Sequence, residues 1–257
     1  MIPLLLTDRI GDDHGLGYGY PQAGLYSEVG FADLTGFEAL ERDGRLVLRV
    51  RLARYANPLQ APKGFSLAVV GVYLDTQPGG SEELPGAGFK TPEGQGWDQA
   101  VLLTGWGAEQ RDPGGAARAL ELRRSEDWLE VSPELPPGDY GYYVTVGLYD
   151  PFTPWRFRPT RPGGGAWTLN APVDAPAAVD ALANDQAAAY QSGVLPPVRA
   201  TIDRKLWTWV AAGAGLLTFL LAFLIPRRRP ATPKPPRRPR GQGKAKKDED
   251  IDIDFGK

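Results

Sequence analysis

Residues 45–52 read Arg-Leu-Val-Leu-Arg-Val-Arg-Leu, charged and apolar positions in near-alternation. That period of two belongs to a strand with one face buried. Phe37-Glu38-Ala39-Leu40 precedes it across Arg42-Asp43-Gly44. Glycine accepts the positive φ of a tight turn, so this stretch predicts a hairpin. Phe65–Leu74 is an apolar run centred on Val-Val-Gly-Val-Tyr, the pattern of a fully buried strand. Further strand signals lie at Ala100–Leu103, Ala117–Arg123, Trp128–Val131 and Tyr140–Tyr149. Short strands at this spacing predict an all-β fold, an antiparallel β-sandwich. The absence of alternating strand and helix patterns argues against a parallel α/β fold. Residues 170–205 are rich in Pro and Ala and read as a connection, with one short helix expected within Val179–Gln191 and ended by Pro196-Pro197.

The pattern changes at Leu206–Ile225, LWTWVAAGAGLLTFLLAFLI, which carries no charge. As a helix it would span roughly 30 Å, the thickness of a hydrocarbon core. Trp207 and Trp209 stand at its start, where indoles favour the headgroup region. Pro226-Arg227-Arg228-Arg229 follows at once. The positive-inside rule then predicts one transmembrane helix, with the C-terminus in the cytoplasm and the main domain extracytoplasmic at the cell membrane. Residues 226–257, basic and then acidic, predict a disordered cytoplasmic tail whose basic part meets anionic membrane lipid. The apolar opening Met1–Leu6 is too short for a signal peptide and has no basic start, so a missing upstream signal is the expectation.

Charge divides the chain further. The net charge is −2, yet residues 226–257 hold 11 basic and 5 acidic side chains, which leaves the rest at −8. An acidic body argues against nucleic acid as its ligand. The chain has no cysteine, so disulfides and thiolate chemistry are excluded. His14 is the only histidine and Met1 the only methionine. That scarcity weighs against a haem site, a Ser–His–Asp triad and a His-ligated metal enzyme.

An ordered series of short motifs resembles a known family. It opens with Asp8-x-x-Gly11-Asp12-Asp13-His14-Gly15-x-Gly17-x-x-Tyr20-Pro21 and continues through Phe31-x-Asp33-Leu34, Asn57-Pro58 and Val72-Tyr73-Leu74-Asp75. Gly96-Trp97-Asp98, Gly105-Trp106, Tyr142-Tyr143, Asp150 and Val179-Asp180-x-Leu182 follow. The series is similar to the glucodextranase C-terminal domain, a DOMON-like β-sandwich related to family-9 carbohydrate-binding modules. It departs from that pattern at Arg9-Ile10 and at 161–165. The resemblance covers about residues 7–193 and so sets the domain there. It leaves 1–6 as an N-terminal remnant and 194–205 as a linker before the membrane helix. It implies a sugar- or cell-surface-associated binding module, without the catalytic domain that such modules accompany.

Candidate sites follow from residue type. Sugar rings stack on flat aromatics beside polar groups, and loop aromatics are best placed to do so. Trp97, Asp98, Trp106, Tyr149 and Trp155 are the expected carbohydrate-binding residues; large aromatics also cap sandwich cores, and that alternative stands beside each tryptophan. Asp8, Asp12 and Asp13 cluster in a Gly-rich segment. Hard oxygens on a flexible loop suit Ca²⁺, with Glu28 or Asp33 completing the shell. The function expected is a non-enzymatic, membrane-anchored module for carbohydrate or a glycan-bearing envelope component. The alternative is an exported protein–protein interaction module of an envelope or transport assembly, with a membrane protein as a candidate partner. A two-carboxylate glycosidase ranks last, because no carboxylate pair stands out by spacing.

Overall fold

The structure, a computed structural model, describes residues 1–200. The expected membrane helix 206–225, the tail 226–257 and the end of the linker lie outside the described residues. Among the described residues no helix is long and apolar enough to cross a membrane.

In chain order the strands are β1 (Leu4–Thr7), β2 (Leu34–Arg42), β3 (Arg45–Leu52), β4 (Ala68–Asp75), β5 (Glu83–Leu84) and β6 (Phe89–Lys90). Next come β7 (Gln99–Thr104), β8 (Gly107–Arg111), β9 (Ala117–Leu120), β10 (Leu122–Ser125), β11 (Trp128–Val131) and β12 (Gly141–Leu148). The last are β13 (Thr160–Arg161), β14 (Leu169–Asn170), β15 (Ala178–Ala181), the helix α1 (Gln186–Ser192) and β16 (Val198–Arg199). One sheet runs β1-β2-β3-β11-β10 and the other β15-β12-β4-β7-β8-β9, with β16 pairing β12. The pairings within both sheets are antiparallel, and the fold is all-β, as the strand pattern predicts.

The hairpin β2–β3 turns through Asp43 and Gly44, at φ 52° and 71°, between the paired Arg42 and Arg45. A double positive φ is the geometry that matches strand twist, and Asp-Gly supplies it. In β4 and β12 eight successive residues are buried, because both faces of the larger sheet are covered. Tyr142 pairs with Leu74 in register and lies 5.3 Å from the Phe37 ring of the other sheet, so that face points into the sandwich. Their neighbours Tyr73 and Tyr143 point the other way. There Tyr73 meets Trp97 edge-on at 5.6 Å under the loops that carry β5 and β6. A second, smaller apolar layer therefore lies outside the larger sheet.

Four stretches differ from the sequence pattern. Ala117–Arg123, expected as one strand, divides at Glu121: β9 joins the larger sheet and β10 the smaller. Strands that change sheets in this way make the corners of sandwiches. The helix expected within Val179–Gln191 begins only at Gln186, where Asp185 Oδ1 accepts from the Ala188 N–H at 3.0 Å, and ends at the left-handed Gly193. Val179 and Asp180 instead extend in buried β15: Asp180 pairs with Val146 of β12, and Val179, at a shift in register, accepts from the Gly15 N–H at 2.8 Å. Residues 4–6, expected as part of a remnant, form most of the edge strand β1 on β2. Much of 170–199, read as a connection, is built into the sandwich through β15, α1 and β16.

Candidate functional site

Two residues, Gly105 and Trp106, connect β7 to β8, since Thr104 pairs directly with Gly107. A Cβ on Gly105 would stand 1.6 Å from the Phe65 carbonyl oxygen, so only glycine lets this turn press against the preceding loop. Thr104 Oγ1 accepts from the Trp106 N–H at 3.2 Å and donates to the Gly107 carbonyl at 3.1 Å. A turn held this way pushes its indole outward, and Trp106 is 44% exposed.

Tyr149 follows the last residue of β12, its N–H donating to the Leu67 carbonyl at 2.8 Å. Its ring stacks on Trp106 with centroids 4.5 Å apart and planes 20° from parallel. This pair is a shared wall between two clefts. One, about 420 Å³, is polar, with Thr104, Glu109, Arg118 and Arg156 around the pair. Glu109 accepts from Arg111 Nε at 3.1 Å and lies 4.0 Å from Arg156 Nε. The other, about 610 Å³, is largely apolar and is lined by Tyr26, Leu59, Phe152, Arg158 and Trp167 with the same pair. Both volumes fall in the range of small-molecule sites.

Arg158 ties this second cleft together. Its Nη1 donates to the Trp167 carbonyl at 2.8 Å and its Nη2 to the Tyr149 carbonyl at 3.0 Å, with its guanidinium 5.8 Å from the centre of the Tyr26 ring. Asp150 Oδ1 accepts from the Phe152 N–H at 2.9 Å, a local turn that leaves the Phe152 ring 93% exposed. Aromatic faces beside a cation and polar groups can stack on a sugar ring and bond its hydroxyls. Glu109 is the one carboxylate among the described residues lining either cleft, so no acid–base pair faces a bond there.

The structure brings together two of the five expected sugar-binding residues, Trp106 and Tyr149. Trp97 is 1% exposed, in the layer outside the larger sheet, with Nε1 donating to the Glu83 carbonyl at 2.6 Å. Trp155 packs edge-on against it at 5.7 Å, half-buried under the Arg111 guanidinium. Asp98 Oδ2 accepts from Thr76 N–H, Thr76 Oγ1 and Gln77 N–H, closing the loop after β4. Tyr26, Phe152, Arg158 and Trp167 were not among the expected residues. The Asp150-Pro151-Phe152 turn is the one local signal that could have pointed to Phe152.

A separate cluster lies where the loop after β1 meets both sheets. Asp12, Asp33 and Asp180 each present an oxygen, all within 4.8 Å of one another. Burial raises the pKa of Asp33 to about 6, and Asp12 and Asp13 add repulsion. Burial also raises Asp8 to about 6, with the charges of Asp12 and Asp33 contributing. Asp12 is raised, and Asp180 lies well above the usual carboxylate range, in both cases chiefly through burial. Asp13, expected as a ligand, turns aside: its Oδ2 accepts from Tyr20 OH at 2.7 Å and its Oδ1 lies 3.5 Å from His14 Nε2. Glu28 pairs with Arg54 at the surface, 3.3 Å away. Asp180 was not expected, because β15 brings it to the cluster from far along the chain.

A search of the curated proteins gives no match. The family described as the C-terminal binding-module, SLH-like, of glucodextranase matches residues 4–203, most of the chain. That match is to a binding module rather than a catalytic domain, and the chain belongs to this family.

Proposed function

We propose that the chain is a non-enzymatic module that holds a carbohydrate, or a glycan-bearing component of the cell envelope, at the outer face of a membrane. The stacked Trp106–Tyr149 pair carries the reading. It offers aromatic surface at the boundary of a polar and an apolar cleft, and Glu109, Arg118 and Arg156 stand within reach of ring hydroxyls. Family membership supports a binding role. Anchoring and orientation rest on the sequence alone: the uncharged run Leu206–Ile225 and the arginines after it. Anionic lipid would meet the basic tail, and the domain would stand outside the cytoplasm.

Glycan arrays and polysaccharide pull-downs with the purified chain test the proposal. Trp106→Ala and Tyr149→Ala should each abolish capture while the circular dichroism spectrum stays native. Folded protein that captures no glycan would refute the reading. One observation favours a second reading, docking of an exported or membrane protein. Phe152, Leu59 and Trp167, all exposed, line one cleft and form the kind of apolar patch that protein partners cover. Crosslinking from position 152 to a protein, in a chain that ignores glycans, would favour it.

A further inference from the structure

We propose that Asp8, Asp12, Asp33 and Asp180 form a calcium site that fastens the N-terminal loop to both sheets. Three observations converge. The first is placement: Asp8 and Asp12 belong to the loop after β1, Asp33 immediately precedes β2 of the smaller sheet, and Asp180 lies in β15 of the larger one. The second is unmet bonding. Asp8 Oδ2, Asp12 Oδ1 and Asp33 Oδ1 are buried oxygens with no hydrogen-bond donor, and Asp33 itself is only 2% exposed. Buried carboxylate oxygens left without partners are rare, since each forfeits its hydration.

The third is charge. Among the described residues, no Lys or Arg forms an ion pair with any of the four. Four carboxyl groups are thus gathered with no cation in direct contact. A hard divalent cation supplies both what the oxygens lack and what the charges need.

Ligand type favours calcium. Calcium takes several carboxylates directly, whereas magnesium usually keeps most of its waters and binds one or two carboxylates. The oxygens of Asp12, Asp33 and Asp180 lie within 4.8 Å of one another, close enough for one cation to meet all three. Asp33 and Asp180 are held by hydrogen bonds that aim their carboxylates. Asp33 Oδ2 accepts from the Gly11 N–H at 2.8 Å, and Asp180 accepts from the Leu34 N–H and from Gln186 Nε2, both at 2.6 Å. Such outer bonds orient metal ligands. Asp13, engaged by Tyr20, is a positioning residue for the loop and not a ligand.

The test uses the full chain in detergent micelles, stripped of divalent ions with EDTA and titrated by calorimetry with calcium chloride or magnesium chloride. One calcium ion per chain should bind with Kd on the order of 10⁻⁴ M or tighter, the range of extracellular modules, and magnesium roughly tenfold more weakly. Calcium should also raise the melting temperature. Asp33→Asn and Asp12→Asn should each weaken calcium binding by about a hundredfold, while Asp13→Asn changes it by less than about threefold. Asp12 is the more exposed of the two, so its variant remains informative where Asp33→Asn fails to fold. Folded wild-type chain that shows neither heat nor stabilisation with about 10 mM calcium would overturn the site. Loss of binding in Asp13→Asn equal to that in Asp12→Asn would overturn the ligand set.

Discussion

Replacing Trp97 by alanine separates the two roles that its sequence context allows. Trp97 is 1% exposed and packs edge-on against Tyr73 and Trp155 at 5.6 and 5.7 Å. Truncating a buried tryptophan costs about 3–5 kcal/mol in lost transfer energy and cavity. The lost Nε1–H also strands the Glu83 carbonyl, which adds about 1 kcal/mol. The described residues form one compact unit, for which 1 kcal/mol moves the melting temperature by roughly 2–4 °C. Trp97→Ala should therefore lower it by on the order of 12 °C. Trp106→Ala removes an exposed indole and one stacked contact, worth about 0.5–1.5 kcal/mol beyond burial, so its shift should be only a few degrees. Thermal unfolding of this unit followed by far-ultraviolet circular dichroism measures both. A Trp97→Ala loss below about 1 kcal/mol, or one no larger than that of Trp106→Ala, would refute the assignment of Trp97 to the core.

Three other outcomes are expected. Gly105→Ala should cost about 3 kcal/mol, since its Cβ meets the Phe65 carbonyl oxygen, and should also weaken ligand capture by displacing Trp106; urea denaturation and pull-down measure the two. Gly44→Val should cost about 1 kcal/mol without touching capture, because the strained φ of 71° lies in the distant β2–β3 turn; the urea midpoint reads it. In EDTA the domain should lose stability as the pH rises through about 6. Asp8 and Asp33 hold protons to about 6 when folded but release them near 4 when unfolded, so the folded state is favoured below that window and penalised above it. Saturating calcium should flatten this slope, and stability that rises from pH 5 to 7 in EDTA would contradict it.

The fold was legible wherever a local pattern decides the outcome. The β2–β3 hairpin is spelled out by alternation and Asp43-Gly44, and the burial of β4 by its apolar run. Non-local pairing was less legible. Nothing around Val179 and Asp180 shows that β12 offers a free edge, so an alanine-rich stretch reads as helix there. The sites follow the same division. Trp97 and Trp106 both sit after glycine in turn-like sequence, and what separates them is the layer above the larger sheet. The acidic loop was visible as a cluster, but which aspartates converge depends on Asp180 arriving from β15 and on Tyr20 drawing Asp13 aside.

The most direct test of the binding account is a ¹⁵N-edited titration of the indole N–H signals with a panel of soluble oligosaccharides. Trp97, Trp106, Trp128, Trp155 and Trp167 give one signal each within the compact unit. The account predicts that a binding glycan shifts Trp106, with Trp167 alongside it when the apolar cleft is filled, while Trp97 stays in place. A glycan that moves Trp97 or Trp128 and leaves Trp106 unchanged, or a panel that moves none of the five, would contradict it.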